Sequence, residues 1–167
     1  MSTRQDYNEA EWKAISSAPL AAGLLITLSD ASGPIGIAKE AMAVSRAISD
    51  SVTGDAPEVV RSLAESAKTW GGRPATPDIP RGNREQAKDA LMGAINAAVD
   101  AVETKSPTEV ESYKIWLASV AVRVAHAAKE GGFLGVGGTP VSAEEQAAVE
   151  QLAAMLNVSA SQIAARS

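Results

Sequence analysis

A chain of 167 residues with 20 acidic and 15 basic side chains, one His and no Cys fits one domain and excludes disulfide frameworks, Cys-based zinc sites and thiol nucleophiles. The single His removes multi-His metal centres. A formal charge of −5 lacks the basic face that sequence-independent nucleic-acid binding needs, so nucleic acid is not expected as a partner.

About one residue in five is Ala, the best helix former, and no segment alternates with period two, so the chain reads as all-α. The N-terminal stretch MSTRQDYNEAEWK is polar and mixed in charge, unlike a signal peptide. The most apolar run, Ala18 to Leu28, has eleven residues, against about 20 for a membrane span. It reads as a buried helix of a cytoplasmic protein without a transmembrane segment. Asn8 to Ser17 and Pro19 to Leu28 are either two short helices or one broken at Ala18-Pro19, because Pro removes a backbone donor.

A helix from Ile35 to about Asp50 follows the turn Ser32-Gly33-Pro34. Asp55-Ala-Pro-Glu58 places a cap before a first-turn Pro, and Val60, Leu63, Ala64 and Ala67 then mark a stripe. Thr69 to Gly82, with three Pro and three Gly, is a long connecting loop; its simplest reading is a connector draped over the surface and anchored by Trp70. Asn83-x-x-Gln86 opens the next helix, with Ala87, Leu91, Ala94, Ile95, Ala98 and Val102 on one face. Ser106-Pro107-Thr108-Glu109 opens the segment Pro107 to Lys129. That segment is apolar on two faces, Tyr113, Trp116, Leu117, Val120 and Val124 on one and Ile115, Ala118, Val122 and Ala125 on the other, as a central helix is. Ser142-x-x-Glu145 and Ser159-x-x-Gln162 start the last two helices, the first with Ala148, Val149, Leu152, Met155 and Leu156 inward. The expectation is a single-domain bundle of seven or eight helices over 1–167, with halves 6–68 and 83–166 joined by loop 69–82.

Two places interrupt the Ala-rich texture. Ser29-Asp30-Ala31-Ser32-Gly33-Pro34-Ile35-Gly36 precedes a helix carrying Glu40. Lys129-Glu130-Gly131-Gly132-Phe133-Leu134-Gly135-Val136-Gly137-Gly138 precedes the helix start Val141-Ser142-Ala143-Glu144-Glu145. Asp30 and Glu130 stand at helix C-termini, where a carboxylate opposes the macrodipole and calls for a Lys, a helix N-terminus or a cation nearby.

The string AHAAKEGGFLGVGGTPVSAEEQAAVEQLAAML resembles the signature end of a family of uncharacterised bacterial all-helical proteins, and SDASGPIGIAKEAMA resembles that family's other block. More remotely, the arrangement is similar to TerB-like helical domains of tellurite resistance. Glu130-Gly131 stands in their acidic-Gly slot, Val141 to Glu145 in their helix start and Leu156-Asn157-Val158 in their closing turn. The chain departs from them by the Gly-rich insertion 132–140 and by Glu in place of Asp. The resemblance implies a bacterial, stress-associated helical module and brings no activity with it.

Three kinds of chemistry are compatible with these residues. A divalent cation is the candidate cofactor, held by Glu130 and Glu145 with His126 one turn before Glu130, and joined by Asp30 and Glu40 if the halves pack turn to turn. Carboxylates suit Ca²⁺, Mg²⁺ or Mn²⁺, and an imidazole would admit Zn²⁺ or Fe²⁺. The simpler reading makes Glu145 the capping-box partner of Ser142, Glu130 a solvated neighbour of Lys129 and His126 an ordinary helix residue. A partner site is the second kind: Phe133 and Leu134, flanked by Gly132, Gly135, Gly137 and Gly138, form either an exposed knob for a protein partner or for self-association, or a buried plug. The plug is favoured, since large apolar side chains are mostly buried. Catalysis is the third and least supported, because no G-x-S-x-G elbow is present and the glycine loop lacks the Lys of a phosphate loop. The expected function is therefore a non-catalytic interaction module, with an acidic ion or small-molecule site between the two glycine turns as the alternative.

Overall fold

The computed structural model describes residues 3–29, 37–50, 56–69, 75–80, 82–130 and 142–165. Among them there are seven α-helices, one short 3-10 turn (Arg4–Asp6) and no strand. The helices are α1 Glu9–Thr27, α2 Ile37–Asp50, α3 Glu58–Thr69, α4 Arg84–Lys105, α5 Val110–Glu130, α6 Ala143–Leu156 and α7 Ala160–Ala164. None is long and apolar enough to cross a membrane.

Reciprocal capping boxes start four of these helices, at Asn8–Glu11, Asn83–Gln86, Ser142–Glu145 and Ser159–Gln162. In each, the cap side chain accepts the N–H three residues on, and that residue's side chain reaches back to the cap N–H. The cap at Asp55 lies outside the described residues. Ser106 behaves differently from expectation. Helix α4 runs as far as Lys105, and the Ser106 N–H is taken by the carbonyl of Val102 at 2.7 Å. Residues 107–109 then form a turn, so α5 begins at Val110 rather than Pro107. Helix α6 stops at Asn157, whose φ of 56° is left-handed. Its N–H and that of Val158 close back on the carbonyls of Ala154 and Ala153, a C-terminal motif that Gly or Asn permits.

Helix α1 is one continuous helix through Pro19. Every residue from Ile15 to Ile26 is buried, because α1 packs on α2, α4, α5 and α6 at once. Helix α5 is central as expected, touching α1, α2, α4, α6 and α7, but it shares that place with α1. At Gly23 the three helices meet closely: an added Cβ would lie 3.2 Å from Val44 of α2 and 3.2 Å from Val124 of α5. The two halves of the chain are therefore interlocked: α1 from the first fills the space between α4 and α5 of the second. The described part of the connecting loop lies beside α1, with Pro77 buried and Asp78 accepting from the Lys13 ammonium at 2.7 Å; Trp70 is outside the described residues.

Candidate functional site

Of the acidic candidates, Glu145 is the one whose side chain is fully placed. It is 8% exposed, and its Oε2 accepts the Ser142 N–H at 2.9 Å while its own N–H donates to Ser142 Oγ at 3.1 Å. A carboxylate at a helix N-terminus is also favoured by the macrodipole, so capping and charge together account for its burial. His126 is exposed on the C-terminal part of α5. Glu40 and Glu130 fall within α2 and α5, with side chains outside the described residues. Asp30 and the loop residues Gly132, Phe133, Leu134, Gly135, Gly137 and Gly138 lie outside them altogether. Among the described residues no three His, Asp or Glu side chains are grouped so as to hold a metal ion.

Other polar groups occupy the interior, and most of them serve the backbone. Pro19 has no N–H to give the carbonyl of Ile15, one turn earlier. The hydroxyl of Tyr113, fully buried on α5, donates to that carbonyl across 3.5 Å, a long hydrogen bond. Burial holds the Tyr113 phenol well above the ordinary tyrosine value, with a smaller push from Tyr7. At the start of α3, the Val59 N–H donates to Glu109 Oε2 at 3.1 Å. The carboxylate expected to cap its own helix thus caps a helix from the other half. Trp12 Nε1 and Ser16 Oγ, one turn apart on α1, are buried without a hydrogen-bond partner.

A second cluster joins the N-terminal segment to α1 and α3. The Arg4 guanidinium lies 5.5 Å from the centre of the Trp12 ring, within cation–π reach. Arg4 also donates from Nη1 to the Tyr7 carbonyl at 2.8 Å and from its backbone N–H to Ser62 Oγ of α3 at 2.9 Å. The Tyr7 ring is buried, 5.8 Å from Trp12. The chain reaches this seat through Tyr7 and Asn8, both extended.

No family model, curated protein or solved structure matches the chain.

Sequence reasoning gave Glu109 a local capping role and Tyr113 a place on the core face, and it passed over the Arg4–Tyr7 segment. One signal was available for Tyr113: a Pro inside an apolar helix orphans a carbonyl, and a buried orphan needs a donor from elsewhere. For Glu109 and Arg4 the partners are 50 and 58 residues distant, and no local pattern marks them.

Proposed function

We propose that the chain is a non-catalytic interaction module, working in the cytoplasm of a bacterium and associated with stress, as its resemblance to TerB-like domains implies. One observation carries this reading: the buried Glu145 and the fully buried Tyr113 are committed to backbone groups, Glu145 to its helix start and Tyr113 to the Ile15 carbonyl. Groups held this way build a rigid scaffold, and a scaffold contributes its surface. The surface offers Met42 of α2, 58% exposed, and Ile79 of the connecting loop, 38% exposed; methionine is an adaptable contact residue.

The second reading is a divalent-cation or small-molecule site between the glycine turns, formed by Asp30, Glu40, His126, Glu130 and Glu145. Its described carboxylate is Glu145, which already accepts the Ser142 N–H. Native mass spectrometry of untreated protein, paired with thermal shifts in Ca²⁺, Mg²⁺, Mn²⁺ and Zn²⁺, separates the two. The interaction reading expects a self-associated or partner-bound mass and an unchanged Tm. One cation per chain, whose chelation lowers Tm and whose return restores it, would replace it with the ion reading.

A further inference from the structure

Two buried donors and one orphaned acceptor lie within a single turn of α1. Trp12 Nε1 and Ser16 Oγ are buried without a hydrogen-bond partner in the protein. Standing four residues apart, they share a face of the helix with Pro19. Among the described residues, Ser16 differs from the other buried helical serines. Ser17 and Ser119 return their hydroxyls to carbonyls three residues earlier, those of Ala14 and Trp116, at 3.2 and 2.7 Å. Ser16 makes no such bond. Between the two donors in sequence is Ile15, whose carbonyl Pro19 deprives of its helical N–H. What that carbonyl receives from Tyr113 is a long bond of 3.5 Å, and a carbonyl has a second lone pair to offer.

These needs are complementary, yet the groups do not serve one another. An indole N–H can only donate, and buried polar groups left unserved cost their full desolvation. A water molecule supplies both kinds of partner. It accepts from two donors and donates to a carbonyl, and a buried water typically makes about three hydrogen bonds. Insertion of a water into the helical ladder is also one of the established ways in which an opened turn is served.

We propose that the turn of α1 before Pro19 is a binding site for one internal water, which accepts from Trp12 Nε1 and Ser16 Oγ and donates to the Ile15 carbonyl. The water replaces the N–H that Pro19 lacks and works beside the Tyr113 hydroxyl. The site is internal, so it goes beyond the interaction reading and does not depend on it.

A crystal structure of the wild-type chain, at a resolution that shows ordered waters, tests the site directly. One water within hydrogen-bond distance of Trp12 Nε1, Ser16 Oγ and the Ile15 carbonyl is the expected result. No water in this turn, or one that misses any of the three, overturns the proposal. Thermal melts of S16A, made in the wild-type chain and in W12F, give an independent reading. Removing a hydroxyl that has no partner is neutral or stabilising, whereas removing one that holds a shared water leaves Trp12 and Ile15 poorly served. Alanine is also the better helix former, so a fall in Tm runs against propensity. The expected fall is about 2–4 °C in the wild-type chain and smaller in W12F, where the water has already lost a donor. An unchanged or raised Tm in S16A overturns the proposal, and so does a fall in W12F as large as in the wild-type chain. If W12F does not fold, the sign of the S16A shift and the crystal structure still decide.

Discussion

Pro19 sits inside α1, where its ring both removes a donor and crowds the carbonyl of Ile15. The helix continues because that carbonyl faces the core and Tyr113 supplies a hydroxyl to it from α5. The bond is long, so its removal is expected to be modest: Tyr113→Phe should cost about 0.5–1 kcal/mol, a Tm lower by roughly 1–4 °C. The same residue sets an alkaline limit. Its phenol is held neutral in the folded chain and titrates near its ordinary value of 10.0 when unfolded. The unfolded state therefore loses a proton that the native state keeps, and stability falls as pH rises above that value. Thermal melts across the alkaline range should show this loss in the wild-type chain and a shallower one in Tyr113→Phe. Parallel curves would mean that Tyr113 is not the titrating group.

Helix α1 and helix α4 use glycine in opposite ways. Gly23 is where α1 meets both Val44 and Val124, each 3.2 Å from an added Cβ, so the missing side chain sets how closely three helices approach. Gly93 lies on the exposed face of α4 with nothing within 4 Å of an added Cβ, so there it only lowers helix propensity. Gly93→Ala should stabilise by about 0.8–1 kcal/mol, whereas Gly23→Leu should destabilise by about 1–3 kcal/mol through overpacking. Urea unfolding of both variants checks the pair; a Gly23→Leu chain as stable as wild type would show that the α1–α2–α5 crossing is loosely packed. At this scale the sequence was highly legible. Asn83, Ser142 and Ser159 cap the helices they were expected to cap, since a capping box is satisfied within four residues and needs nothing distant. Ser106-x-x-Glu109 has the same spacing and a different outcome. Helix α4 extends to Lys105 and takes the Ser106 N–H, while the Glu109 carboxylate is drawn to an orphan N–H on α3.

The whole molecule is tied across its halves rather than along them. Helix α1 packs on α4 and α5 and the Glu109 carboxylate caps α3; Lys13 pairs with Asp78 of the connecting loop at 2.7 Å, and within the second half Gln162 of α7 donates to Glu111 of α5 at 3.0 Å. The exposed ion pairs contribute little, on the order of 0–1 kcal/mol each; the shared core carries the coupling. One cooperative calorimetric transition is expected, with calorimetric and van't Hoff enthalpies in a ratio of about 1. Glu109→Ala should lower that transition by about 0.5–2 kcal/mol, the range for a lost helix cap, without dividing it. A second transition appearing in the variant would show that α3 and its half unfold separately.

Local order was decided by the sequence alone. Ala content, the cap signals at Asn83, Ser142 and Ser159 and the helical spacing of pairs such as Val60 with Leu63 and Leu91 with Ile95 determine an all-α chain and the inward face of its helices, because these are settled between residues a turn apart. The tertiary structure alone decided which helices share the centre, that α1 crosses Pro19 unbroken, that Glu109 serves another helix and that Arg4 and Tyr7 are seated on Trp12. Each of these depends on a group supplied from a distant part of the chain, and only packing brings such groups within hydrogen-bond or van der Waals reach. The composition still excludes thiol and multi-His chemistry, and among the described residues Glu145 and Tyr113 are committed to backbone groups.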